Sequence, residues 1–215
     1  MKRLLVVGLI GLILIGVGLI YFKFSKKESK ITMPPEKVLE GKKVVMVIAF
    51  RDFRDREYFE PKRILEEAGA EVKTASTKEG KAIGADGGDT QVDLLISKVN
   101  PEEFDAVVFI GGPGALKELD NETSYNLIKE TVEKNKVLAA ICISPVILAK
   151  AGVLKGKKAT VWSSLMDKSA IKILEEQGAV YEKKPVVVDG KIITGQGPQA
   201  AKEFGETILR VLKSI

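Results

Sequence analysis

The most reactive group in this sequence is a single thiol. Cys142, the one cysteine among 215 residues, lies in VLAAICISPVILAKAGVLKG, residues 137–156. Val137 to Ala140 are apolar with β character, and a helix-like pattern follows. A thiol placed where a strand turns into a helix is well positioned for a nucleophile, whereas a lone cysteine elsewhere is most often a small buried hydrophobe. The chain contains no histidine. This excludes a Cys–His pair, and it excludes a Ser-His-Asp enzyme built on Ser144, Ser163 or Ser164, even across identical copies. One cysteine without histidine cannot build a zinc site either, and no cofactor is expected. Cys142 would have to react as a thiolate, favoured by the start of the following helix and by a nearby cation.

Two other segments carry polar or glycine-rich chemistry. GGPG, residues 111–114, lacks the spacing of either nucleotide-binding fingerprint and reads as a turn that lets backbone N–H groups approach a ligand. GADGGD, residues 84–89, reads as a flexible surface turn with too few directed carboxylates for a metal.

The elements that must position these groups follow from periodicity. VVMVIAF (44–50), DAVVFI (105–110) and KVLAAI (136–141) are continuous apolar runs, expected of strands covered on both faces. YFEPKRILEEAGA predicts a helix ending near Gly69, followed by EVKTAS as a strand. ETSYNLIKETVEKN and SPVILAKAG predict helices, the second ending at Gly152. Further on, the pattern predicts a short strand at 159–162 and a helix from Lys168 to Gln177. Strands at 186–188 and 191–194 read as a hairpin turning at Asp189-Gly190, and a last helix runs from Pro198 to Ser214. Strands alternating with helices predict an α/β three-layer sandwich with a largely parallel sheet. In such sheets ligands bind beyond the carboxyl ends of the strands. FRDFRDRE (50–57), GGPG and Cys142 all follow strands, so topology alone brings them to one edge.

The N-terminus is different. Leu4 to Phe22 is uncharged and nearly all apolar, and nineteen residues at ~1.5 Å each span roughly 28 Å, about one hydrocarbon core. The expected organisation is a membrane anchor over 1–22, a charged tether over 23–42 with Pro34 and Pro35, and a domain over 43–215. The run is too long for a signal-peptide core and no small-residue cleavage site follows it. The indications of orientation oppose each other: the lysines after the run favour a cytoplasmic domain, whereas the short N-terminus favours an external one. Of the formal charge of +5, residues 1–43 hold +6 (nine Lys/Arg against three Glu), leaving −1 for the rest. The basicity therefore belongs to the anchor and tether, and a nucleic-acid partner is rejected for the domain.

Residues 43–213 resemble the ThiJ/PfpI superfamily through FRDREYFEPKRILEEAGAEV, VNPEEFDAVVFIGGPGA, AAICISPVILAKAGVLKGKKAT and PVVVDGKIITGQGP, in that order. The resemblance implies a flavodoxin-like fold, a homodimer, and Cys142 at a nucleophile elbow. It also implies backbone N–H groups around Gly111, Gly112 and Ile143 facing the thiol as an oxyanion or anion site. The elbow reads Ala140-Ile141-Cys142-Ile143-Ser144-Pro145, so Ile143 replaces the family's histidine and Ser144 its glycine. The family glutamate that bonds the sulfur is expected seven residues before the helix proline, and counting back from Pro61 places Arg54 there. On this reading both polar partners of the thiol are replaced. Arg54 becomes the candidate thiolate-stabilising cation, Glu57 is structural, and the thiol pKa is expected below the usual ~8.5. The expected function is a membrane-tethered thiol-based redox or anion-binding protein, or a scaffold, with little hydrolytic activity. The alternative is a cysteine-dependent hydrolase of peptidase, deglycase or glyoxalase type, acting through Cys142 on a small-molecule ligand that the sequence does not name.

Overall fold

The computed structural model describes residues 37–215. The apolar run Leu4–Phe22 and most of the tether lie outside the described residues. Among the described residues, no helix is long and apolar enough to cross a membrane.

The described chain forms β1 (Lys43–Val47), β2 (Arg51–Phe53), α1 (Asp55–Glu67), β3 (Glu71–Ser76), β4 (Gly80–Gly84), β5 (Asp89–Val92), β6 (Leu94–Leu95) and β7 (Ala106–Phe109). These are followed by α2 (Ala115–Glu118), α3 (Glu122–Glu133), β8 (Val137–Ile141), α4 (Pro145–Lys150), β9 (Lys158–Ala159) and α5 (Ser169–Glu176). The chain ends with β10 (Val180–Tyr181), β11 (Val186–Asp189), β12 (Ile192–Gly195) and α6 (Ala201–Lys213). The main sheet has the order β11-β12-β8-β7-β1-β3-β6. Its pairings are parallel except that of β11 with β12.

Alternation along the apolar strands builds two cores from one sheet. Val44 and Met46, with Val108, Ala139 and Ile141, face Tyr58 and Leu65 of α1 and Phe204, Ile208 and Leu212 of α6. Val45 and Val47, with Val107, Phe109, Leu138 and Ala140, face Leu127 and Ile128 of α3 and Val146 to Ala149 in α4. The spacing of Phe204, Ile208 and Leu212 places them on one stripe of α6, and burying each such side chain contributes roughly 1.5–3 kcal/mol. This is the mostly parallel α/β sandwich that the alternating pattern predicts, with the flavodoxin-like character that the family resemblance implies.

Three features differ from the sequence expectation. Leu39 is fully buried and its N–H donates to the Ala68 carbonyl at 2.8 Å, so Lys37–Lys42 packs on the domain instead of belonging to a free tether. The hairpin pairs Asp189 with Ile192, so the turn residues are Gly190 and Lys191, one position later than expected. Finally, β2, β4 and β5 form a small second sheet that periodicity did not reveal. GKAIG and DTQV are short and half-exposed, without an apolar run to mark them. The GADGGD turn joins β4 to β5 and is not free: the Asp55 carboxylate accepts hydrogen bonds from the N–H groups of Asp86 and Gly88.

The sheet places the site. From β1 the chain passes to β3 on one side and returns to β7 on the other, so the strand order reverses beside β1. Loops leaving the carboxyl ends of strands diverge at such a point and leave a crevice.

Candidate active site: a thiol and a buried carboxyl

Cys142 follows the last residue of β8 and has φ +64°, one of three non-glycine residues with positive φ among the described residues. That conformation costs about 1–3 kcal/mol and persists only when its surroundings hold it. Here they do. The Cys142 N–H donates to the Gly195 carbonyl at 2.9 Å, and its carbonyl accepts from the Trp162 N–H at 2.8 Å. The buried Ser144 hydroxyl donates to the Ile110 carbonyl at 2.9 Å, tying the elbow to the end of β7. Pro145, with no N–H to satisfy, opens α4. Ser144 thus fastens the turn that a glycine would merely permit.

The opposite wall comes from the loop after β1. Phe50 and Arg51 donate their N–H groups to the Glu118 carboxylate at 2.8 and 3.1 Å. The Arg54 N–H donates to the Gly111 carbonyl at 2.9 Å, and that of Gly114 to the Asp52 carbonyl at 3.1 Å. The loop is therefore laced to GGPG, and α1 starts against the thiol. Phe53, Tyr58 and Phe59 pack edge to face around the helix start, with centroids 4.9–6.1 Å apart.

In the first turn of α1, Glu57 is completely buried. Its polar neighbours are the Cys142 thiol and the Gly111 N–H. No hydrogen bond of full geometry satisfies either carboxyl oxygen. Loss of hydration pushes the Glu57 pKa from the ordinary 4.5 up to about 7, against the opposing pull of the thiol, the Arg54 charge and the Gly111 N–H. The thiol is pushed upward as well, first by burial and then by the charge and hydrogen bonding of Glu57. The N–H groups of Gly112 and Ile143 face the sulfur and pull the other way, as an anion site would.

Two sequence expectations are corrected. The thiol is not without a carboxyl partner, and it is raised, not lowered. The acid beside it is Glu57. Arg54 instead caps α1 in extended conformation and turns its guanidinium to Asp86, 2.8 Å away. It borders the same cavity as Cys142, and its charge favours the ionised form of Glu57. The signal for Glu57 was present in the sequence. Glu57, Pro61 and Leu65 recur every four residues and share the buried face of α1. A carboxyl on an apolar helical stripe is the one to examine first.

The cavity above the thiol has a volume of about 310 Å³ and is lined by Arg54, Gly112, Pro113, Leu116, Cys142, Ile143 and Trp162. Gly111 lies beneath it, between Cys142 and Glu57. Among the described residues, no group of three or more metal-ligating side chains converges.

The sequence model of the DJ-1/PfpI family matches residues 42–211. The chain belongs to the DJ-1/PfpI family. An uncharacterised protein of Methanocaldococcus jannaschii is 44% identical over 100% of this chain and 98% of its own length. The Deglycase PfpI of Pyrococcus furiosus is 32% identical over 79% of this chain and 99% of its own length. Among solved structures, a ThiJ/PfpI domain protein from Brachyspira murdochii superimposes with a TM-score of 0.77 at 36% identity, covering 81% of this chain and 99% of the other. Within the DJ-1/PfpI fold, this chain's site therefore pairs Cys142 with Glu57 and leaves the position after the cysteine to an isoleucine.

Proposed function

We propose that this DJ-1/PfpI chain is a cysteine-dependent enzyme acting on small carbonyl compounds, of the deglycase type by which its Pyrococcus furiosus relative is named. The observation that carries the reading is the burial of Glu57 beside the thiol, poised at about 7. A base poised near neutrality is suited to take and return a proton. A redox, anion-binding or scaffold role presupposes a thiol without an acid–base partner, and Glu57 beside Cys142 removes that premise.

The arrangement supports the following steps. Cys142 Sγ attacks a substrate carbonyl carbon and forms the C–S bond, while its proton passes to the Glu57 carboxylate. The carbonyl oxygen takes up the electron pair, and the N–H groups of Gly112 and Ile143, which already face the sulfur, are placed to receive that oxyanion. With a free aldehyde, Glu57 then returns the proton to that oxygen and leaves a hemithioacetal. With an aldehyde-modified amine, a carbinolamine, the C–S bond forms as the C–N bond breaks, and the thiol proton passes through Glu57 to the departing amine nitrogen. Collapse of the hemithioacetal then breaks the C–S bond to free the aldehyde and restore the thiol. A 310 Å³ space with Pro113, Leu116, Ile143 and Trp162 as walls suits a small substrate better than a peptide. Cys142→Ala is expected to abolish release of amine from an aldehyde-modified amino acid, followed by amine-specific labelling. Full activity in that variant would overturn the reading.

The proposal includes attachment to a membrane through Leu4–Phe22. Its support is the length and apolarity of the run, and an alignment with the Methanocaldococcus jannaschii relative that covers this whole chain. The full-length protein is expected to stay with membranes through alkaline carbonate washing. Recovery in the supernatant would refute the anchor.

A further inference from the structure

Among the described residues, Arg54 is the one cationic side chain on a cavity whose other side chains are Pro113, Leu116, Cys142, Ile143 and Trp162. Its guanidinium is only partly committed. One nitrogen holds Asp86 at 2.8 Å, and among the described residues no other side-chain hydrogen bond engages it. A guanidinium carries five donors in a planar fork suited to a carboxylate. The Asp86 side chain is 52% exposed, so its hold on Arg54 is that of a surface ion pair, which contributes little. The cavity thus has a reactive sulfur, apolar walls, and at Arg54 an underused carboxylate receptor. The backbone keeps that receptor in place: the Arg54 N–H is bonded to Gly111, beside the turn that faces the sulfur.

We propose that the substrate is a small carbonyl compound bearing a carboxylate, such as an oxo acid or an aldehyde acid, and that Arg54 determines this specificity by binding the carboxylate in place of Asp86. The substrate class rests on Cys142 as the reacting group, but carboxylate binding does not, and the test separates them.

Trp162 is the only tryptophan in the chain and borders the cavity, so its fluorescence reports occupancy without turnover. The full chain carrying Cys142→Ala is titrated with propionate and with propionamide, its uncharged counterpart of similar size. The titration is run at pH 6, below the value of about 7 at which Glu57 ionises. Propionate is expected to give a saturable change and propionamide none. Adding Arg54→Gln should weaken propionate binding about tenfold or more, the usual effect of losing charge-assisted hydrogen bonds. Adding Asp86→Asn should tighten it by freeing the guanidinium, an opposite change that general damage to the site would not produce. Equal responses to the two probes, or propionate affinity unchanged by Arg54→Gln, would overturn the proposal while leaving the roles of Cys142 and Glu57 untouched.

Discussion

Replacing Glu57 with glutamine is expected to lower turnover by ~10²–10⁴-fold, the usual contribution of a positioned acid or base. The same change should make the protein more stable at neutral and alkaline pH. The Glu57 carboxyl titrates at about 7 in the folded chain against 4.5 ordinarily. Below about pH 4.5 it is protonated in both states and contributes no difference. Between 4.5 and 7 the unfolded chain releases the proton while the folded chain keeps it, so stability falls as pH rises. Above about 7 the cost is complete, of the order of 3 kcal/mol at 1.36 kcal/mol per pH unit. The glutamine variant lacks this slope. Chemical denaturation at pH 5 and pH 8 checks it: the parent should lose stability between the two, and the variant should lose far less. An activity loss coupled to a stability gain would mark Glu57 as a buried charge kept for chemistry.

The second large effect is expected at Gly111. A Cβ there would lie 2.5 Å from Cys142 Cβ, 2.7 Å from Glu57 Oε2 and 2.8 Å from the Ile141 carbonyl oxygen. Real Cβ atoms do not approach so closely, and although the Glu57 oxygen ends a side chain, Cys142 Cβ and the Ile141 carbonyl are held by the backbone. Gly111→Ala must therefore push α1 away from the elbow or open the end of β8. Overpacking of this kind costs typically 1–3 kcal/mol. Separating the thiol from the carboxyl should remove nearly all turnover, since small displacements of reacting groups cost rate steeply. Denaturant unfolding and the amine-release assay together measure both effects. Wild-type activity in Gly111→Ala would show that Cys142 and Glu57 need not touch.

Much of this architecture is legible in the sequence, for identifiable reasons. Runs such as VVMVI and VLAAI announce strands covered on both faces, and Val44–Val47 and Val137–Ile141 are indeed fully buried. The strand-to-helix junction announces Cys142 as an elbow, and its φ of +64° matches. The small sheet of β2, β4 and β5 is hidden because its stability comes from partners distant in sequence, such as Asp55 holding the turn at Asp86 and Gly88. The acid beside the thiol is misassigned by a count along the chain. That count selects Arg54, whereas the geometry of α1 selects Glu57 three residues later, because only the helical phase decides which side chain turns inward. The direction of the thiol shift is missed for a related reason. A helix start and a cation are visible in sequence, whereas the desolvation and the buried carboxylate that outweigh them are properties of packing.

The central claim is that Glu57 acts on Cys142 as a base and not merely as a neighbouring charge. The pH dependence of Cys142 alkylation, in the parent and in Glu57→Gln, tests it most directly. As a base, Glu57 should make the parent's reactivity rise with an inflection near pH 7, where its carboxyl ionises. The glutamine variant should lack that inflection and react at least ~10²-fold more slowly at pH 7.5. As a mere charge, Glu57 would only disfavour the thiolate, and its removal would speed the reaction. Alkylation of Glu57→Gln at pH 7.5 as fast as the parent's, or faster, would contradict the account.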